Sequence, residues 1–168
     1  MLNEIYLESA KNEFLNYKML AEKAMAQLQP ADLFFQPNEA SNSIALIIQH
    51  MAGNMLSRWT DFLISDGEKE WRDRDAEFRT LLTDATSLMQ KWNEGWNCLF
   101  TTLDNLRPTQ LEDIVLIRNE KHSVVQAINR QLAHYPYHVG QIVFIAKQIK
   151  GNEFSSLSIE KNKSKEFN

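Results

Sequence analysis

The chain is poor in the residues that interrupt helices or cross-link a fold. Its 168 residues include one cysteine, five glycines and four prolines. A single cysteine excludes an intramolecular disulfide framework and favours a reducing compartment. So few glycines and prolines favour long helices over many short strands.

The sequence also lacks an excess of positive charge and any long apolar run. The net charge of −4 argues against general binding to nucleic-acid phosphates. No apolar run approaches the roughly 18 residues of a membrane span. Charged residues within the first 14 positions are atypical of a secretory signal. We therefore expect a single cytoplasmic domain over residues 1–168, with no nucleic-acid or membrane partner.

Apolar residues recur in steps of three and four along most of the chain, which predicts four long helices. They cover about residues 2–28, 43–64, 81–106 and 123–150. Asn42 or Ser43 is the expected N-cap of the second helix, and Asp66-Gly67 lies just past its expected end. Residues 65–79 are a polar connection.

The segment before the last helix has a different pattern. LEDIVLIRNEKHSVV has β-branched runs on both sides of residues 118–121, which predicts a short hairpin. Ser123 and Gln126 have capping-box spacing, and Gly151 is suited to end the helix. The polar tail after it has no helical period. The sequence therefore predicts an all-α four-helix bundle, whose core is a usual place for a metal site.

Three of the four histidines suggest such a site. His134 and His138, within HYPYH, are four residues apart and share one helical face, so they can chelate one ion. His50 lies in the middle of the second helix on a face predicted to point inward, where Gly53 leaves space. Three neutral imidazoles with an open coordination position suit a catalytic divalent ion such as zinc or nickel.

Acidic residues are absent from both histidine-bearing helices. No aspartate or glutamate occurs in residues 41–60 or 122–150. This disfavours a two-histidine, one-carboxylate iron site, unless the first or third helix contributes the acid. It also disfavours a metalloprotease, because HYPYH lacks the glutamate of H-E-x-x-H. An all-histidine site keeps the double charge of its ion and favours an anionic ligand such as a thiolate.

Three other polar residues are expected near this site from their positions on the predicted helices. Arg130 lies one turn before His134 and can bind an anionic substrate, although a solvated arginine is an equally good interpretation. Asn54 and Gln141 can orient a ligand or substrate. The histidines themselves can also be ordinary core or surface residues, since an HxxxH pair alone is a weak signal.

Four further residues are predicted to lie outside the site. His122 precedes the cap of the last helix and is expected at the surface. Cys98 is expected to be a small core residue. Tyr135 and Tyr137 are expected to pack against neighbouring side chains.

Three segments resemble the DinB-like metalloenzyme superfamily, and within it the DUF1572 branch. They are IIQHMAGNMLSRWTDFL, EWRDRDAEF and AINRQLAHYPYHVGQIVFIAKQIKG. The tail SLSIEKNKSKEFN is similar to that branch as well. The family's pattern of one histidine on the second helix and an HxxxH pair on the last maps onto His50, His134 and His138.

This resemblance implies a DinB-like up-down-down-up four-helix bundle, a homodimer, and a divalent metal that is commonly nickel or zinc. Characterised relatives include S-transferases and a maleylpyruvate isomerase that use low-molecular-weight thiols, and some hydrolase-like proteins. The leading hypothesis is therefore a metal-dependent enzyme with a small-molecule substrate and a small-thiol cosubstrate, namely an S-transferase. A metal-dependent hydrolase and a non-catalytic metal-binding bundle are the alternatives.

Overall fold

The structure, a computed structural model, describes residues 1–79, 82–160, 162–163 and 165. These residues form four α-helices: α1 Leu2–Met25, α2 Ile44–Trp59, α3 Ala85–Asn105 and α4 Val124–Lys150. An antiparallel pair of strands precedes α4: β1 Ile114–Ile117 and β2 Glu120–Ser123. There are also short 3-10 turns at Pro30–Phe34, Ala76–Phe78, Pro108–Glu112 and Gly151–Glu153. The predicted all-α four-helix bundle with a hairpin before the last helix is confirmed.

Contacts between α2 and its two neighbours give the relative directions of three helices. Gly95 packs on Ala52, and further along both helices the Thr102 hydroxyl donates to the Trp59 carbonyl at 2.9 Å, so α2 and α3 run parallel. At the other face of α2, His50 contacts His138 and Trp59 contacts Tyr135, so α2 and α4 run antiparallel.

Contacts of α1 complete the topology. The Tyr6 hydroxyl donates to Asn129 at 2.7 Å and Phe14 contacts Tyr135, so α1 runs parallel to α4. Lys11 pairs with Asp104 at 2.8 Å, whereas Glu22 accepts a hydrogen bond from Trp92, so α1 runs antiparallel to α3. The predicted up-down-down-up order is therefore confirmed.

The centre of the bundle receives one aromatic ring from each helix. They are Phe14 of α1, Trp59 of α2, Trp96 of α3 and Tyr135 of α4, each at most 1% exposed. Their ring centroids lie 5.8–6.3 Å apart in the pairs that touch. Burial of such side chains drives the four helices together, at roughly 1.5–3 kcal/mol for each phenylalanine-sized group. No described helix combines the length and apolarity needed to cross a membrane.

The first two helices are shorter than expected. α1 ends at Met25 rather than at residue 28, because Pro30 forces Gln29 into an extended conformation. The prediction that α2 reaches residue 64 is wrong, since it ends at Trp59. Thr60 is extended and Asp61 has a φ of 50°, a left-handed conformation that does not continue a helix.

The predicted caps agree with the structure where it describes them. Ser43 is the N-cap of α2, and its hydroxyl accepts from the Leu46 N–H. Ser123 and Gln126 form the predicted capping box of α4, and Gly151 ends that helix with a φ of 56°. The helix continues through Pro136.

The start of α3 lies later than expected. Leu81, the predicted first residue, lies outside the described residues. α3 begins at Ala85, and the Asp84 side chain caps it by accepting from the Ser87 N–H at 2.8 Å.

The hairpin turn is tighter than expected and is tied to the polar connection. Arg118 and Asn119, both with positive φ, form the turn, whereas residues 120 and 121 belong to β2. The carboxylate of Asp66 accepts from the backbone N–H groups of both turn residues, at 2.9 and 2.7 Å. Asp66 is therefore an anchor for the hairpin and not the end of α2.

The C-terminal tail contacts the chain just after the end of α1. Residues 154–160 form no helix or strand, and Ser155 exchanges two hydrogen bonds with the Gln27 side chain. Residues 161, 164 and 166–168 of the predicted tail lie outside the described residues.

The same substitution at two helical glycines is expected to have opposite effects on stability. A Cβ at Gly95 would lie 2.9 Å from the Cα of Ala52, whereas a Cβ at Gly140 would meet nothing within 4 Å. Gly95→Ala should lower the free energy of unfolding by about 1–3 kcal/mol, because α3 must move away from α2. Gly140→Ala should raise it by about 0.5–1 kcal/mol. Urea denaturation measures both, and a change of the same sign in the two variants would contradict the close α2–α3 contact.

Candidate metal centre

Three histidines from two helices converge at one point. His50 comes from α2, and His134 and His138 come from α4. One ring nitrogen of each lies within 4.8 Å of the others, and the Nε2 atoms of His134 and His138 are 3.1 Å apart. His50 and His138 are buried, and His134 is partly buried. The antiparallel arrangement of α2 and α4 thus brings together the three residues that the sequence singled out.

Each histidine is oriented through its Nδ1 atom, which donates to a side-chain oxygen. The acceptors are Glu77 Oε2 for His50 at 2.9 Å, Gln131 Oε1 for His134 at 3.2 Å, and Gln141 Oε1 for His138 at 3.0 Å. Such partners fix the Nδ1–H tautomer and leave Nε2 free as a ligand atom. Gln141 therefore has an orienting role, as its position suggested.

The free nitrogens carry lone pairs with no proton donor between them. Burial, and next the charges of His138 and His50, lower the pKa of His134 to about 3. Burial also lowers the pKa of His138. Both rings of α4 are therefore neutral near pH 7, and two facing lone pairs 3.1 Å apart repel each other unless a cation binds them. A set of three imidazole nitrogens fits a borderline ion such as zinc or nickel.

Glu77 is the most important residue that the sequence did not indicate. It lies on the 3-10 turn Ala76–Phe78 in the connection between α2 and α3. Its carboxylate accepts from His50 and from Arg72, whose Nε and Nη2 lie 2.7 and 2.9 Å away. Burial acts to raise the pKa of Glu77, but these hydrogen bonds outweigh it and lower the pKa. Glu77 therefore remains ionised and strengthens His50 as an electron donor.

The carboxylate near the triad, that of Glu77, comes from a different part of the chain than the sequence allowed for. The sequence allowed the first or third helix to supply a carboxylate, but the acid that contacts the triad comes from the polar connection. It contacts the Nδ1 atom of His50, so it supports a candidate ligand and is not itself grouped with the three ligand nitrogens. Six acidic residues lie between positions 65 and 79, and nothing in their spacing distinguishes Glu77.

The same connection also fixes the ring of His50. Phe78 stacks on it with centroids 4.8 Å apart. Gln49 donates to the carbonyls of Glu77 and Arg79, at 3.1 and 2.8 Å. A Cβ at Gly53 would lie 2.2 Å from Glu77 Oε1, so the space predicted beside this glycine is filled by the Glu77 carboxylate.

A basic cavity of about 200 Å³ opens beside the triad, and we call it the arginine cavity. Five of its lining residues are arginines: Arg58, Arg72, Arg74, Arg118 and Arg130. The others are His50, His134, Asn54 and Gln131. No aspartate or glutamate of the described chain lines it. Arg130 and Asn54 thus lie where an anionic group beside the histidines would meet them.

Two tyrosines on α4 differ in environment. Tyr135 is fully buried, as expected, and its hydroxyl accepts from Trp59 Nε1 at 3.0 Å and donates to Asn54 Oδ1 at 3.1 Å. Tyr137 lies on the outer face of α4 and is 64% exposed, and the packing expected of it is a contact of its ring with that of His138, with centroids 5.0 Å apart. Tyr137 borders a larger surface cavity, of about 600 Å³, that none of the three histidines lines.

Neither His122 nor Cys98 belongs to the site. His122 is partly exposed on β2, and its Nδ1 donates to the Glu120 carbonyl at 3.0 Å. Cys98 Sγ lies 3.6 Å from Thr60 Oγ1, and burial raises the pKa of the thiol. A partly buried thiol of this kind is a packing group and not a nucleophile.

Removal of the Glu77 carboxylate should destabilise the metal-free protein. The side chain of Arg72 is only 3% exposed, so Glu77→Ala leaves a buried charge with Glu68 as its remaining, more distant partner. We expect a loss of about 3 kcal/mol in the free energy of unfolding, measured with urea in the presence of a chelator. Exposed Glu70 is the matched control, and Glu70→Ala should change the value by less than about 0.5 kcal/mol. Equal effects in the two variants would contradict the role of Glu77.

Comparison with known proteins agrees with the resemblance seen in the sequence. A family model described as "Protein of unknown function (DUF1572)" matches residues 2–163. No curated protein matches the chain. Because this match covers nearly all of the four-helix bundle and the three histidines, the chain belongs to the DUF1572 family.

Proposed function

We propose that this protein is a divalent-metal-dependent enzyme and that it acts as a small-thiol-dependent S-transferase. The observation that carries the proposal is the convergence of three imidazole nitrogens beside the arginine cavity. Three protein ligands leave a coordination position open, which is typical of catalytic rather than structural zinc sites. His50, His134 and His138 are the ligands in this proposal, with nickel or zinc as the ion.

The donor set favours a thiol as the exchangeable ligand. A divalent ion held only by neutral imidazoles keeps its full charge and would stabilise a thiolate over the thiol. The chain supplies the remaining interactions. Arg130 attracts an anionic group of the cosubstrate, and Asn54 and Gln131 line the cavity with amide groups that can orient it.

The chemistry of the cavity favours this reaction over the hydrolase alternative. Hydrolysis benefits from a general base near the attacking water. No carboxylate of the described residues lines the cavity, and Glu77 is already bonded to His50 and Arg72. The presence of a cavity beside the histidines also favours an enzyme over a purely structural metal site. A homodimer and a cytoplasmic location stay predictions.

The first test of the proposal is the metal content of single variants. Wild-type protein should take up about one divalent ion per chain, because each Nε2 atom is free and the three converge. His50→Ala, His134→Ala and His138→Ala should each lower the metal content at subsaturating metal, as measured by elemental analysis. His122→Ala removes an imidazole outside the triad and should match wild type. Wild-type metal content in all three triad variants would show that the triad is not the binding site.

A second test addresses the reaction. In cobalt-substituted protein, the correct small thiol should add a sulfur-to-metal charge-transfer band in the near ultraviolet, because the thiolate binds the ion directly. Thiol binding releases a proton, so the band should strengthen as the pH rises. Arg130→Ala should weaken binding of an anionic thiol and leave the cobalt content unchanged.

The control for this spectrum is His138→Ala, which should show no band because it no longer holds the ion. A cobalt spectrum that is unchanged across a panel of small thiols, while an ester or amide is hydrolysed, would replace the transferase proposal with the hydrolase alternative.

A further inference from the structure

Arg58 is a buried cation, two of whose guanidinium nitrogens have no hydrogen-bond partner in the described residues. It lies on α2 one turn after Asn54, lines the arginine cavity and is 3% exposed. Its Nε and Nη1 atoms are buried and form no hydrogen bond with any described residue. A guanidinium in such surroundings is costly, because these two nitrogens lose hydration and gain no hydrogen bond in return.

The neighbouring charges do not neutralise Arg58. Arg72 is paired with Glu77 and Glu68, and Arg118 also pairs with Glu68 at 3.3 Å. Five arginines thus face three nearby carboxylates, those of Glu68, Glu77 and Asp66, which leaves an excess of two positive charges around the cavity. Asp66 attracts Arg58 by charge, but its carboxylate accepts hydrogen bonds from the hairpin backbone. Like charges held together in this way favour an anion as the missing partner.

The backbone keeps Arg58 in place. A Cβ at Gly67 would lie 2.6 Å from its Nη1 atom, so the connection passes directly over the guanidinium. The Ser57 hydroxyl donates to the Gly67 carbonyl at 3.0 Å and holds the connection there. Arg58 is therefore packed in position beside the cavity, and cannot lower its cost by turning to solvent.

We infer that the arginine cavity binds a dianionic oxyanion group of the substrate, either a phosphate or a pair of carboxylates, with Arg58 as its buried anchor. The inference rests on the proposed function in one respect, namely that the bound group belongs to a substrate that reacts at the candidate metal position beside it. Guanidinium groups bind such oxygens in pairs, through two parallel hydrogen bonds. An excess of two positive charges matches a dianion better than a monoanion. His50 and His134 border the cavity, so the rest of the substrate can reach the triad.

The test uses inorganic phosphate, malonate and acetate as probes on metal-free protein, at low ionic strength because salt screens exposed charges. His138→Ala serves as the background that no longer holds metal, and His138 does not line the cavity. Titration calorimetry and the shift in Tm should both show binding of phosphate or malonate, and weaker binding of acetate. Which of the two dianions binds better tells a phosphate ester from a dicarboxylate.

Two arginine variants and one control make the test specific. Arg58→Met should weaken dianion binding by about tenfold or more, because the bound anion loses a pair of charge-assisted hydrogen bonds. Without any anion, Arg58→Met should have a higher Tm than its parent, because an unpaired buried charge is removed. Arg130→Gln, on the exposed wall, should weaken binding and leave the anion-free Tm unchanged. Arg79→Gln removes an exposed charge of the connection that does not line the cavity, and should bind as its parent does.

The outcomes separate this inference from the proposed function. No binding of either dianion, equal binding in Arg58→Met, or a lower anion-free Tm in Arg58→Met would each overturn the inference. Dianion binding, together with wild-type protein that takes up no divalent metal, would support the inference and remove the metal-dependent function. Metal and thiol binding without dianion binding would support the proposed function and overturn the inference.

Discussion

The contact between α2 and α4 at Tyr135 is the constraint on which the candidate site depends. The Tyr135 hydroxyl bonds to Trp59 and Asn54 on α2, while its ring contacts aromatic residues of α1 and α3. These hydrogen bonds fix the register of two antiparallel helices in a buried setting, where a lost bond is costly. His134 and His138 lie within one turn of Tyr135, so this register also sets the distance between their imidazoles and His50. A central packing unit and the candidate metal centre are therefore specified by the same contact.

Buried charge is the second organising feature, and it appears in two forms. Glu77 is satisfied by Arg72 and His50, so its burial rigidifies the connection and orients a candidate ligand. No described residue accepts a hydrogen bond from Nε or Nη1 of Arg58, so the burial of this charge destabilises the folded protein. Unsatisfied charge in a native structure is characteristic of sites where binding, and not stability, determines the residue. Glu77 contacts His50 and Arg58 lines the same cavity as His50, and the connection between α2 and α3 holds both residues in place.

The sequence predicts the triad and its helical neighbours Asn54, Arg130 and Gln141, but not the buried charges around it. The helical period alone places His134 and His138 on one face, and the apolar residues before His50 predict its inward direction. Glu77 and Arg72 lie on an irregular connection, where no period relates position to direction. Arg58 is eight residues after His50, so the helical spacing was visible, but its burial depends on Gly67 crossing above it. The sequence misplaces the end of α2 for a similar reason. Residues 62–64 continue the apolar pattern, whereas the hydrogen bond that the Trp59 carbonyl accepts from Thr102 is a tertiary contact that no local pattern shows.

The proposed function requires that three histidine nitrogens, and no carboxylate, hold a divalent ion in this bundle. X-ray absorption spectroscopy of zinc- or nickel-loaded protein measures the coordination shell directly. The account predicts three imidazole nitrogens at about 2.0–2.1 Å, and one added sulfur at about 2.3 Å when the small thiol is present. A shell dominated by carboxylate oxygens, or one with fewer than two imidazoles, would contradict it.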